Sequence, residues 1–444
     1  MYTMASKEKR DMTNRQYLAL AFPLIIAGIT TPLIGAVDTA VVGRLPDPSS
    51  IGGVAIGAVI FNTMYWLLGF LRVSTSGFTA QATGSNNSKE TFMTLLKPMV
   101  IAVLCGVLFI VFQKPILQVA LLVIGGSEQV ASFASTYFSI RIWGAPFILL
   151  SYVFIGWLIG MGNVRLSLAT QLVMNLMNIV LSIVFVLVLD MGVAGVAYAT
   201  LISEVSAVLF GGFIIVRNNR VNLSEFSFKM ILEPEPLMRM VKVNRDLFLR
   251  TICLLIMTGI FTSKGASMGE VTLAANAILL QIHYIMAYLI GGFANASSIL
   301  SGRAIGGKNR SLFRRSVNLS AVWGLVTAAS LAFLIMVFGD SVVGWFTNIA
   351  TVREMAMDNL IWMVIYPFVG FWGLQLEGVF SGATEAKSIR DSIFLALLVF
   401  LAVIWISVPA FENQGIWLAF VVFSLGRSVF LSLYLPKLQR LHFS

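Results

Sequence analysis

The chain reads as long apolar stretches separated by short polar punctuation. A helix needs about 20 predominantly apolar residues to cross a bilayer. Stretches that meet this fall at 16–43, 51–82, 97–123, 130–160, 166–189, 192–216, 246–268, 272–302, 315–339, 355–381, 391–410 and 415–436. Twelve transmembrane helices are predicted, several of them longer than the minimum, which leaves room for tilt or protrusion. The longest charged interval, 217–245 with Glu233-Pro-Glu-Pro236, lies halfway along the chain and reads as a linker carrying a short surface helix. The expected organisation is an N-terminal six-helix lobe over 1–216, a cytoplasmic linker over 217–245 and a C-terminal six-helix lobe over 246–444.

Composition makes this a membrane protein. With 58% hydrophobic and 11% charged residues, the chain has less than half the charged share of a soluble globule, about 25%. The formal charge of +10 does not point to nucleic acid, because the basic residues are spread over short loops, and that spread sets topology. Lys7, Lys9, Arg10, Lys89, Arg165, Arg220, Arg250, Lys308, Arg310, Lys387 and Lys437 fall on one side. The other side has Arg44, Lys114, Lys264 and Arg353 beside the acids Asp47, Glu128, Asp190, Glu270, Asp340 and Glu412. Both termini and the linker are therefore expected in the cytoplasm. The first apolar stretch continues past Pro23 and Pro32 with no Ala-x-Ala pattern, so it is read as a retained helix and not a signal peptide.

The two halves resemble each other at a constant shift of 222 residues. That shift takes Gly43 to Gly265, Met64 to Met286, Gly84 to Gly306, Gly156 to Gly378, Gly160 to Gly382 and Arg165 to Lys387. Six spans per repeat is an even number, so both halves enter from the same side. The expected architecture is all-α: two pseudo-twofold-related lobes about an axis along the membrane normal, around a central cleft of the kind transporters use.

Against that background one residue stands out. Asp38 is the only acid inside the first span, and an intramembrane carboxylate is costly enough to face a cavity, find partners or carry protons and ions. The bland alternative is a carboxylate permanently bonded to Asn and Thr neighbours, fixing a bend near Pro32. Glu204 and Glu377 also sit in apolar spans, placed toward the cytoplasmic end together with Arg72 and Arg427. Opposite charges at similar depth pair, which suggests Arg72 with Glu204 and Glu377 with Arg427, the other reading being a role at an inner gate. Phe61, Met64, Phe154, Met161, Met174, Met177, Met257 and Met286 would give a soft surface able to repack around apolar cations, if they are not ordinary packing or lipid contacts.

Other chemistries find no footing. Cys105 and Cys253 lie far apart in apolar runs, and His283 and His442 are isolated, so no metal site or disulfide framework assembles. A membrane enzyme would need a constellation of His, Cys or paired carboxylates at membrane depth, and none is found. The near P-loop Gly302-Arg-Ala-Ile-Gly-Gly307-Lys308-Asn309 ends in Asn where Ser or Thr would reach magnesium, and it follows a membrane helix, so neither nucleotide nor another cofactor is expected.

The stretch Val37-Asp-Thr-Ala-Val-Val-Gly-Arg-Leu45, with Gln81-Ala-Thr-Gly84, Gly192-Val-Ala-Gly-Val-Ala-Tyr-Ala-Thr200, Leu273-Ala-Ala-Asn276 and Ser301-Gly-Arg-Ala-Ile-Gly306, resembles the multidrug and toxic compound extrusion (MATE) family, in its DinF-like branch. The resemblance runs from about Gln16 to Pro436. It implies a twelve-helix efflux protein of the bacterial cytoplasmic membrane that exchanges protons or sodium for drugs, dyes or toxic organic cations. By position it assigns proton coupling to Asp38, with Tyr137, Asn178 and Thr200 as polar partners and Asn175 one turn from Asn178. Sodium-type relatives carry a second acid where this chain has Ser182, which favours protons. Helix 1 would bend at Pro23 or Pro32. A lipid-linked precursor flippase of the same superfamily is the alternative, but it would want a wide cationic cleft. A major-facilitator carrier lacks its loop signature in Gly84-Ser-Asn-Asn-Ser-Lys-Glu90.

Overall fold

A computed structural model describes residues 12–45, 47–125, 127–218 and 228–443. The side chains of 31–40, Asp38 and Pro32 among them, and those of 218 and 228 lie outside the described residues. The chain forms helices α1 (Asn14–Val42), α2 (Pro48–Leu68), α3 (Phe70–Gly84), α4 (Ser88–Val111), α5 (Gln113–Ile124), α6 (Glu128–Arg141), α7 (Ala145–Gly160), α8 (Val164–Ile183) and α9 (Gly192–Asn218). After these come α10 (Phe228–Ile231), α11 (Pro234–Ser267), α12 (Glu270–Gly306), α13 (Arg310–Phe346), α14 (Ala350–Asp358), α15 (Ile361–Gly382) and α16 (Ala386–Phe443). A 3-10 turn at Ile142–Gly144 joins α6 to α7, and a π turn at Val184–Val188 closes α8.

Ten described helical stretches are long and apolar enough to span a bilayer. One of them, α16, breaks at Glu412 (φ 49°, ψ −125°) and counts for two, and α1 makes the twelfth. Exposed Leu209, Phe333, Met336, Trp405 and Ile406 would be a liability on a soluble protein but suit a lipid-facing surface.

Three predicted elements differ in detail. The span at 97–123 divides into α4 and α5 at Phe112 (φ −93°, ψ 15°). The span at 355–381 divides at Asn359, whose side chain donates back to the Met355 carbonyl at 2.8 Å and so diverts the backbone from continuous helix. In the predicted linker, 219–227 lies outside the described residues, whereas α11 already starts at Pro234, where proline suits the first helical turn, and buries Met240, Asn244 and Asp246.

The helices form two compact units whose boundary is not the chain midpoint: one comprises 1–28, 84–86 and 242–444, the other 29–83 and 87–241. The division falls inside α1. Its first half joins the C-terminal helices because Tyr17 donates to the Phe293 carbonyl at 3.1 Å and bonds Ser297 Oγ at 2.8 Å. Trp323 Nε1 donates to Asn14 Oδ1 at 3.1 Å, and Ile25 fills the notch left by Gly292.

The core of the second unit gathers Phe61, Leu71, Tyr137, Phe138, Phe154 and Trp157, with Trp157 Nε1 donating to the Thr91 carbonyl at 2.8 Å. That of the first gathers Phe261, Trp417 and Phe420, ring centroids 4.8 Å and 5.6 Å from Phe261. Glycines set the close approaches within each unit. A Cβ on Gly156 would strike the Arg72 carbonyl and one on Gly160 the Ser76 carbonyl; a Cβ on Gly378 would strike the Ala294 carbonyl and one on Gly382 the Ser298 carbonyl. These four contacts are two pairs related by the 222-residue shift.

Candidate functional site

The second unit collects most of the polar residues that the sequence singles out. Asn175, Asn178 and Ser182 project from α8 at spacings of three and four residues, hence from one face, and all three are buried. On α9, Thr200 meets them: Asn178 Nδ2 donates to Thr200 Oγ1 at 3.0 Å, while that hydroxyl donates to the Val196 carbonyl at 3.1 Å. The acceptor oxygens Asn175 Oδ1 and Asn178 Oδ1 are buried with no hydrogen-bond donor among the described residues. The backbone of Asp38 lies in α1 and clusters with this same unit.

Tyr137 on α6 is buried and receives a hydrogen bond from Arg141 Nη1 at 2.8 Å. The Arg141 guanidinium lies over the Phe61 ring (4.6 Å to its centroid), between Tyr137 (5.6 Å) and Tyr65 (5.8 Å). Its Nη2 faces Glu204 Oε1 at 3.7 Å. The pairing of Arg72 with Glu204 is thereby corrected: the Arg72 side chain is exposed on α3, and the buried acid takes the arginine of α6. Depth explains the choice. Arg141 and Glu204 lie thirteen and twelve residues from the starts of their helices, about 18–20 Å at 1.5 Å per residue. That is the middle of a span and not its cytoplasmic end.

The soft apolar set is packed. Phe61, Met64 and Phe154 belong to the unit's core, with Met161 and Met174 against it; Met257 and Met286 are buried in the other unit. α1 stays helical through Pro23 and Pro32.

In the first unit, Glu377 pairs with Arg427 as expected (Nη2 to Oε2, 2.7 Å), and a second guanidinium, Arg250, contacts its other oxygen. Arg250, counted from sequence among the loop cations, is thus an interior residue. A reciprocal amide pair joins α12 to α16: Asn276 Nδ2 donates to Asn413 Oδ1 at 2.7 Å, Asn413 Nδ2 returns to Asn276 Oδ1 at 3.0 Å, and Trp417 Nε1 adds a third bond at 2.9 Å. Asn413 also lines a cavity of about 480 Å³ with Thr272, Met355 and Asp358. Sequence reading passed over Arg141, Asn413 and Trp417. A lone arginine within an apolar span was the available signal for the first; for the others, nothing local marks a pair 137 residues apart. No cluster of His, Cys, Asp and Glu able to hold a metal occurs among the described residues.

Residues 23–184 and again 247–408 match the MatE family. The chain is 35% identical to the "DNA damage-inducible protein F" of Escherichia coli (strain K12), over 93% of this chain and 90% of that protein. It is 21% identical to the "Probable multidrug resistance protein NorM" of Photorhabdus laumondii, over 84% and 83% respectively. Among solved structures it resembles MATE in the bent conformation, with a TM-score of 0.86 at 20% identity, covering 98% of this chain and 100% of the other.

Proposed function

We propose that this chain, which belongs to the MatE family of multidrug efflux transporters, is a secondary antiporter that exchanges protons for cationic or amphipathic small molecules by alternating access. The observation that carries the reading is the acid Asp38 in an otherwise apolar span, in the same compact unit as the Asn178–Thr200 pair. Ionised, Asp38 attracts a cationic drug or dye; protonated, it releases it. Entry of one proton across 100 mV is worth about 2.3 kcal/mol, which biases two states only if a residue binds that proton differently in each. The neutral Ser182, where a second acid would serve sodium, supports protons as the coupling ion. Phe61, Met64, Phe154, Met161 and Met174, with Met257 and Met286, are proposed as side chains that repack around cargo once the packing opens, as flexible thioethers permit. The site of action is the bacterial cytoplasmic membrane, with both termini inside.

The test is transport of a cationic dye in proteoliposomes energised by a proton gradient or a sodium gradient alone. Movement driven by the proton gradient without sodium is expected, and movement that requires sodium would overturn the choice of ion.

A further inference from the structure

Glu204 is a buried acid that the coupling site around Asp38 does not use, and its two oxygens have different surroundings. Oε1 faces Arg141 Nη2 at 3.7 Å, a charge contact too long for a hydrogen bond, whereas Oε2 is buried with no hydrogen-bond donor among the described residues. Gly144, at the turn between α6 and α7, leaves the space that Oε2 occupies: any Cβ there would overlap it. A carboxylate kept solely for a structural ion pair should have both oxygens satisfied, because an ionised oxygen without a donor at membrane depth is costly. A free oxygen beside a fixed guanidinium instead leaves room for a proton.

The surroundings of Glu204 continue those of the coupling site. Thr200, which holds Asn178, lies one helical turn before Glu204 on α9, and Tyr137, the residue expected as a polar partner of Asp38, binds the arginine that faces Glu204. Among the described residues, the charged and titratable groups near this carboxylate from the elements packed around it are Arg141 and Tyr137 on α6 and Tyr65 on α2, with Tyr152 on α7 near Tyr65; α8 presents the neutral Asn175, Asn178 and Ser182. Arg141 is held by the three rings and the Tyr137 hydroxyl, so the carboxyl group is the partner free to change state.

We propose that Glu204 is a second proton-binding residue of the transport cycle, carrying its proton on Oε2 beside Arg141. This rests on the proton-antiport reading. In the loaded state the acid is neutral. When a cationic cargo binds in the unit, the proton leaves Oε2 for bulk water, the electron pair of the O–H bond stays on the carboxylate, and the carboxylate closes on the guanidinium.

The experiment is dye-induced proton release from the purified full-length protein in weakly buffered detergent, read with a pH indicator and expressed as protons per bound dye. Binding that favours a deprotonated state must expel protons in proportion. Wild-type protein should release protons, and Glu204→Gln should lower the number by about half, as expected if two acids share the release. Glu204→Asp should retain it. Because Glu204→Gln removes the carboxylate that Arg141 faces, the double variant Glu204→Gln/Arg141→Gln removes both members of the pair and should show the same loss. Wild-type release that persists unchanged in the double variant, whatever happens to its melting temperature, would overturn the assignment and leave the antiport reading standing. Absence of release from the wild type would overturn the antiport reading and this assignment with it.

Discussion

The Thr200 hydroxyl bonds α9 to Asn178 on α8, and its removal is a measurable event. Thr200→Val keeps nearly the same volume but leaves Asn178 Nδ2 without the acceptor it holds at 3.0 Å. Hydrogen bonds between membrane helices average about 0.6 kcal/mol and reach about 1.7, so a loss of that order is expected in thermal unfolding of the detergent-solubilised protein. Gln375→Leu should cost more. This fully buried side chain accepts from Ser320 Oγ at 2.7 Å and donates to the Ile290 carbonyl at 3.0 Å, so two partners are orphaned together. A melting temperature equal to wild type in Gln375→Leu would contradict the assigned contacts. At this scale the sequence was legible where a charge interrupts an apolar run, as at Glu377 with its partner Arg427. It was silent where the meaning of a residue depends on what another helix brings to it. Arg250 counted as a loop cation until its contact with Glu377 placed it inside, and Glu204 had its depth misjudged and so its partner.

Among elements, the repeat was readable because it is written in residues with steric work to do. The left-handed backbone positions Asn86, Gly162 and Asp190 are followed after 222 residues by Lys308, Thr384 and Glu412, all with positive φ. Asn87 and Asn309, related by the same shift, cap α4 and α13 by accepting from Glu90 N at 3.0 Å and Leu312 N at 2.9 Å. Because the glycine notches admit a neighbouring carbonyl, Gly378→Ala should destabilise by about 1–3 kcal/mol through overpacking. The control is Gly259→Ala, exposed on α11 with open space around it, which should be neutral or stabilise by about 0.5–1 kcal/mol. Equal melting temperatures for the two alanine variants would contradict the close approach of α12 and α15. What the hydrophobic pattern did not deliver were the breaks at Phe112, where both flanks are apolar enough for one continuous span, and at Asn359, where the short helix before it carries Arg353, Glu354 and Asp358 and reads only as the polar start of a span.

For the molecule as a whole, the repeat preserves framework but not chemistry. The shift that relates Gly156 to Gly378 carries Asp38 to Ile260, Asn178 to Phe400, Thr200 to Val422 and Glu204 to Gly426. The acids and amides proposed for coupling therefore belong to one half only. The division of α1 between the two compact units was not legible in the sequence, because its polar anchors Asn14 and Tyr17 find their partners about 280–310 residues away along the chain. The loop charges predict the orientation proposed above. In a variant lacking Cys105 and Cys253, cysteines at the exposed positions Glu128 and Ile349 should react with an impermeant thiol reagent added to intact cells, and cysteines at exposed Ser88 and Ser311 should not. Labelling of Ser88→Cys from outside would reverse the topology.

The central claim is that a proton on Asp38 drives efflux, and Asp38→Asn tests it most directly. Asn keeps the volume and hydrogen-bonding capacity of the acid while removing the charge that titrates, so the protein should insert and fold as before. Efflux of a cationic dye from energised cells, measured by fluorescence at matched expression, should fall to the rate of cells lacking the transporter. A wild-type rate in Asp38→Asn cells under the same proton gradient would place the coupling residue elsewhere and contradict the account.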